Sequence, residues 1–273
     1  MKKYENMRHG TESFPVGIHD TVCNKGFALY PHIHREFEFF VMEEGCGTIY
    51  IEDEKFEIKK GEGLFINSEE LHIGIKTNDK EARFFAVVFA PEIFGNFAMD
   101  IIMQKYVEPV IKKRIKPKRM LDEKTVALLK RVHEADNELI IKALLLEIWD
   151  ICIKSSEKNA DMLKKKNVDD MKMMMNYIED NYNRDITLDE MATFLNVSKG
   201  FLCRQFSGVL HMTPFEYLIQ IRIDKGCEML KNTDLSIGEI ATRCGFNSFS
   251  YFSKIFRERV GISPREYRNK GLN

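Results

Sequence analysis

The chain has 273 residues, 44% hydrophobic and 30% charged, with 41 Lys/Arg against 42 Asp/Glu and a net charge of −1. That length predicts two domains with real cores, and near-neutrality excludes a whole-chain field for polyanions, so any nucleic-acid surface must be local. The six cysteines (Cys23, Cys46, Cys152, Cys203, Cys227, Cys244) form no C-x-x-C pair, which argues against a zinc ribbon and a disulfide framework.

The opening "MKKYENMRHGTESFPVG" shows no apolar h-region, and no apolar run reaches transmembrane length. The expectation is a cytoplasmic protein with reduced thiols and no membrane partner. From residue 14 to about 95 the pattern is one of short strands. "EFEFFVM" alternates and then runs apolar. "GTIYIEDEKFEIKKGEGLFI" alternates with period two, with turns expected at Asp53-Glu54 and Lys60-Gly61. "ARFFAVVFA" is a buried-type strand. Such strands suggest a small barrel or sandwich over residues 1–98.

After Pro91 the period changes. "AMDIIMQKYVEPVIKK" and Asp122 to Lys154 have helical spacing. In the second, Val126, Leu129, Val132, Leu139, Leu144, Leu145, Ile148, Trp149 and Ile151 form one apolar stripe, with Asp122 and Thr125 as a start signal. Residues 99–155 are therefore read as a helical segment that packs on the barrel or dimerises, dimerisation being the preferred reading. Residues 156–168, within "KSSEKNADMLKKKNVDD", read as a linker.

Residues 169–273 contain no period-two runs. Two segments there share a grammar, Ile186 to Leu218 and Leu235 to Arg268. Each has a polar N-cap (Thr187, Ser236), an alanine permitting close helix approach (Ala192, Ala241), a short turn ("LNVS", "CGFNS") and a second helix followed by "TPFEY" or "SPREY". That is a helix-turn-helix written twice. A helix from Pro214 to about Lys231 connects them, able to hold two recognition helices roughly 34 Å apart on one face of a duplex. From Lys199 onward there are twelve Lys/Arg and seven Asp/Glu, whereas Asn167 to Ser198 holds two against seven. The basic surplus thus lies where phosphate contact needs it.

These residues resemble the DNA-binding domain of the AraC/XylS family of bacterial transcription regulators. The resemblance is carried by "SIGEIATRCGFNSFSYFSKIFRERVGISPREYR" and the upstream "RQF…TPFEYLIQIRIDKGCEML". Phe201, Leu202, Phe206, Phe252 and Phe256 are assigned to the core. Lys199, Gly200, Cys203 and Arg204 are assigned to the outer face of the first recognition helix, and Asn247, Ser248, Phe249, Ser250, Ser253 and Lys254 to that of the second. Arg204 is the favoured base contact, since its fork matches guanine O6/N7.

The N-terminal half resembles the cupin-type arm of the same family. The cupin pattern G-x5-H-x-H-x3-E-x6-G is met by Gly26, His32, His34, Glu38 and Gly45. In the second cupin motif Gly61 and His72 keep their separation, while Asn67, Glu69 and Lys76 replace proline, glycine and asparagine. His32 and His34, at i and i+2, would share a strand face with Glu38. Three imidazoles and a carboxylate suit zinc, iron, manganese, nickel or copper. The alternatives left open are a divalent metal site, a pocket for an organic effector lined also by Tyr30, Phe40 and Tyr50, and a structural cluster.

The expected architecture is α+β: a cupin or jelly-roll-like N-terminal β-barrel, a helical dimerisation segment, and a C-terminal all-α domain with two helix-turn-helix units. The resemblance implies a non-enzymatic regulator that binds promoter DNA as a homodimer and responds to a small effector, with a sugar as the family-weighted guess. As an activator it would contact RNA polymerase. The rival readings are a metal-dependent cupin enzyme or metal sensor fused to a DNA-binding tail, and a constitutive DNA-binding protein.

Overall fold

The computed structural model of the chain describes residues 9–24, 27–95, 100–158 and 166–270. It divides into two compact units, Met1–Lys164 and Lys165–Asn273.

The first unit carries β1 (Val16–Cys23), β2 (Leu29–His32), β3 (Phe37–Glu44), β4 (Cys46–Ile51), β5 (Glu54–Lys59), β6 (Gly63–Ile66), β7 (His72–Ile75) and β8 (Ala82–Phe89). They form two antiparallel four-stranded sheets, ordered β1-β8-β3-β6 and β2-β7-β4-β5. The expected barrel is therefore not closed: among the described residues no ladder joins the two sheets. The β4–β5 turn falls at Glu52–Asp53, one residue earlier than expected, with Glu52 at φ 57°.

β3 explains why its sequence reads as an apolar run. It pairs with both β6 and β8 and is buried on both faces. Alternation sends Phe37, Phe39 and Val41 to one cluster and Phe40 and Met42 to another. The second cluster lies between the sheets, and Phe27 fills it. Its ring packs on Phe40 (5.7 Å) and Phe84 (5.4 Å). A Cβ on Gly47 or Gly74 would come within 2.1 or 2.5 Å of that ring, so both strands are bare where the ring lies.

The first cluster extends outward to helices. Ala98 and Met99 lie outside the described residues. A π-helical turn at Met103–Val107 leads into α1 (Glu108–Ile111). The expected single stripe from 122 to 154 is two helices, α2 (Glu123–His133) and α3 (Glu138–Lys154). The break has a physical cause: Asn137 caps α3 by accepting the Ile140 N–H at 3.0 Å, as Asp122 caps α2 through Thr125 at 2.8 Å. Leu129, Val132, Leu145, Ile148 and Trp149 join the cluster of Phe37, Phe39 and Phe89. The Trp149 ring lies 4.7 Å from Phe37, and its indole donates to the Tyr106 carbonyl at 3.2 Å. Leu139, expected in the buried stripe, is 80% exposed. Two short strands not foreseen, β9 (Ile115–Lys116) and β10 (Glu157–Lys158), pair with each other.

The second unit is helical: α4 (Lys166–Asn181), α5 (Leu188–Phe194), α6 (Lys199–Leu210), α7 (Pro214–Asn232), α8 (Ile237–Arg243), α9 (Phe249–Val260) and α10 (Pro264–Lys270). Thr187, Ser198, Thr213, Ser236 and Ser248 each cap a helix, Thr213 and Ser236 as full capping boxes. The turns after α5 and α8 share one backbone pattern. Asn196 and Gly245 are left-handed (φ 54° and 81°), and the next N–H returns to the helix alanine: Val197 to Ala192 and Phe246 to Ala241. Buried Arg222 on α7 donates to the carbonyls of Tyr182 (2.8 Å) and Arg184 (2.9 Å), tying α7 to the end of α4. Among the described residues no helix is long and apolar enough to cross a membrane.

Candidate functional site

The strand pairing brings the N-terminal histidines together. His32 ends β2 and pairs across the ladder with His72 at the start of β7, their rings 3.9 Å apart. His34 lies beyond the end of β2, so the expected strand-face alternation of His32 and His34 does not apply. It reaches the cluster from the connection to β3, with its ring 5.1 Å from His72. Glu38 arrives from the facing sheet on the inner side of β3. One ligand atom from each of His32, His34, Glu38 and His72 lies within 4.8 Å of all the others.

Each imidazole is oriented by a backbone carbonyl. His32 Nδ1 meets Tyr30 O at 2.8 Å, His34 Nδ1 meets Glu36 O at 3.1 Å, and His72 Nδ1 meets Glu70 O at 2.9 Å. A carbonyl only accepts, so Nδ1 carries the proton and Nε2 carries the lone pair. His34 Nε2 is 3.0 Å and His72 Nε2 3.4 Å from Glu38 Oε2. The His72 Nε2 is buried without a hydrogen-bond partner. With the imidazoles neutral these lone pairs face the carboxylate, an arrangement relieved by a cation, either a metal ion or a proton on His34 or His72. Burial, then His72 and His34, push His32 well below the usual imidazole range. Burial raises the Glu38 carboxyl, but His34 and His72 beside it outweigh burial and hold it well below the carboxylate range. A neutral imidazole and an ionised carboxylate are the forms that bind metal. Tetrahedral donors with metal bonds of about 2.0–2.2 Å sit about 3.4 Å apart, so the widest pairs of the 4.8 Å cluster draw together by about 1.4 Å on binding. The donor set fits a divalent transition metal.

A supporting layer had no local sequence signal. Arg119 grips the buried Glu70 carboxylate with two bonds, and the Glu70 carbonyl orients His72. Asn67 donates to Val110 O at 2.9 Å, and Ser68 Oγ to Arg35 O at 2.7 Å. Glu69, where the cupin motif has glycine, adopts φ 60°, so the loop keeps the left-handed residue with a side chain in place.

The aromatic residues named as pocket lining do not gather around the cluster. Phe40 is fully buried in the inter-sheet core, Tyr30 is exposed, and Tyr50 is half-buried between Ile49 and Ile51, which face that core. Tyr30 contributes its carbonyl rather than its ring. Gly26 lies outside the described residues.

In the helical unit, Lys199, Gly200 and Arg204 are exposed on α6, and Cys203 is half-buried. Lys199 pairs with Asp189 at 2.9 Å. Asn247, Phe249, Ser250 and Lys254 are exposed at or on α9, while Ser253 is half-buried and Ser248 uses its hydroxyl to cap the helix. Leu202, Phe206, Phe252 and Phe256 are buried as expected. Phe201, assigned to the core, is 38% exposed. Tyr251, not singled out in the sequence, is 49% exposed beside Phe249.

Residues 16–148 match the family model of the AraC-like ligand binding domain, and residues 191–270 match a helix-turn-helix domain model. An uncharacterized HTH-type transcriptional regulator of Bacillus subtilis, YdeC, is 26% identical, with 97% of this chain and 95% of its own covered. The HTH-type transcriptional activator RhaS of Klebsiella pneumoniae is 24% identical over 95% of this chain and 96% of its own. Among solved structures, ToxT from Vibrio cholerae is 15% identical, with a TM-score of 0.47, covering 93% of this chain and 97% of that one. The chain belongs to the AraC/XylS family of transcription regulators. It is a DNA-binding regulator with an effector-binding N-terminal domain, and its relatives are regulators rather than enzymes.

Proposed function

We infer that the effector site of this regulator is a metal site formed by His32, His34, Glu38 and His72. One observation carries the reading: three carbonyl-oriented imidazoles converge on one buried carboxylate, leaving an unpartnered Nε2 on His72. The inter-sheet space that an organic effector such as a sugar would need is filled by Phe27, Phe40 and Phe84. A bound ion would supply a fixed charge that joins β2 and β7 of one sheet to β3 of the other. This chain's residues orient the donors and exclude water. Effector occupancy acts on DNA binding by favouring one of two arrangements of the chain.

The helix pairs α5–α6 and α8–α9 are read as two helix-turn-helix units, supported by their matching turns. Arg204 is read as the principal base contact. Homodimerisation is assigned to α3, whose outer face shows Leu139, Ile140, Ala143 and Leu146. An activating role is supported by the name of the RhaS relative, a transcriptional activator, and engagement of RNA polymerase in the cytoplasm is part of the same proposal.

The test is elemental analysis of protein purified without a metal-affinity column, beside a His34→Ala/His72→Ala variant. About one transition metal per chain, lost in the variant, is expected. Metal-free wild type that takes up none on reconstitution overturns the reading.

A further inference from the structure

Another histidine beside the cluster repeats the pattern of the ligands, and it comes from the N-terminal segment. His9 Nδ1 lies 2.9 Å from His19 Nε2, and the His9 ring packs edge-on against His34 at 5.5 Å. The other nitrogen, His9 Nε2, is buried with no hydrogen-bond partner. As in His72, one ring nitrogen is tied to a neighbour and the other is left bare.

The local backbone holds His9 in that place. Gly10 has φ 81°, and a Cβ there would lie 2.5 Å from the Phe14 carbonyl. The Thr11 N–H donates to that carbonyl at 2.9 Å, and the Phe14 N–H donates to Thr11 Oγ1 at 3.0 Å. These bonds close a tight turn that returns the chain alongside β1. Across from it, a Cβ on Gly17 would lie 2.6 Å from His19 Nε2 and 3.2 Å from His9 Cβ. The histidine pair thus occupies room that Gly17 leaves free. A cleft of about 720 Å³, whose walls include His9, Phe14, Glu36 and Lys142, opens at this turn. It gives the turn room to shift.

We propose that His9 is an additional donor to the ion held by His32, His34, Glu38 and His72, delivered by the turn over residues 9–16, with His19 as its outer partner. This rests on the metal reading above. Four imidazoles and one carboxylate make a donor set for late transition metals and against magnesium or calcium. Loading the ion then also anchors the N-terminal segment to the sandwich.

The test is titration of the full chain with cobalt(II), followed by its visible absorption and by competition with a chelating dye. The variants are His9→Gln, His19→Gln and Gly17→Ala, each checked for wild-type melting. His9→Gln should bind cobalt about 10-fold or more weakly, with an altered spectrum from the changed coordination. Gly17→Ala, which displaces both rings, should behave like it, and His19→Gln should lose less. Cobalt should protect the amides of residues 9–16 from exchange in the wild type and not in His9→Gln. Wild-type affinity, spectrum and protection in His9→Gln overturn this inference while the metal reading stands. A wild type that binds no cobalt overturns both.

Discussion

Arg119 and Glu70 meet as a fork across 49 positions of sequence, Nη1 to Oε2 at 2.5 Å and Nη2 to Oε1 at 2.7 Å. Glu70 is buried, Arg119 is partly buried with its side chain 11% exposed, and the Glu70 carbonyl carries the orientation of His72. An arginine far from either cupin motif therefore helps set the angle of a candidate ligand. Arg119→Ala should destabilise the first unit by roughly 3–5 kcal/mol, because it leaves a buried carboxylate unpaired. Burial raises the Glu70 carboxyl, but its bond to Arg119 leaves it lowered. The pair's contribution is thus present above the unfolded value, about 4.3, and is lost as pH falls through the folded value. Denaturant melts across pH 3 to 7 should show that acid loss in the wild type and a flatter acid limb in the variant.

Metal binding should weaken in acid, because protons compete for the histidine Nε2 atoms that the ion needs. Because His32 is held well below the usual imidazole range, competition titrations carried from pH 7.5 down to pH 4 should show the loss of affinity below that range. A pH-independent affinity would mean that the imidazoles are not ligands.

Phe27→Ala should cost about 3–5 kcal/mol and open a cavity between the sheets against Gly47 and Gly74. Thermal melts measure the loss. A variant that gains affinity for a small apolar probe such as benzene would show that Phe27 occupies what is otherwise a ligand space.

Arg204→Ala should weaken specific promoter binding by about 1–3 kcal/mol with relaxed sequence preference. Lys254→Ala should weaken binding more evenly across sequences and lower the salt dependence. Fluorescence anisotropy on matched and scrambled duplexes separates the two. Unchanged binding by Arg204→Ala would remove α6 as a reading helix.

Leu139→Lys with Leu146→Lys places two charges on the exposed apolar face of α3. The double variant should sediment as a monomer under conditions where the wild type is a dimer, while its melting point changes little because neither side chain is in the core. A dimer that survives both changes must use another surface.

The histidine motif is legible because its spacing is local, and the caps because each needs only its own turn: Asp122, Thr187, Ser198 and Ser236 sit where polar residues precede apolar periodicity. Phe201 was misread because a helix face is decided by what lies across from it, and that neighbour is not adjacent in the chain. Leu139 belongs to the same stripe by periodicity, yet the Asn137 cap starts a new helix that turns it to solvent. Arg119 and His9 carried no signal, since an arginine in a loop and a histidine in a terminal segment are ordinary until packing supplies Glu70 and His34.

The chain's sequence alone determined the change from strands to helices along the chain, the paired helix-turn patterns and the residue types of the candidate centre, because these depend on period, capping and short spacing. Tertiary structure decided the rest. It set the sandwich as two sheets rather than a closed barrel and filled its interior with Phe27. It also placed three histidines, His32, His34 and His72, beside Glu38, with His9 packed against His34. The physical reason is that long-range strand register and buried polar pairing depend on partners distant in sequence, and these acquire their meaning only when the chain has closed on itself.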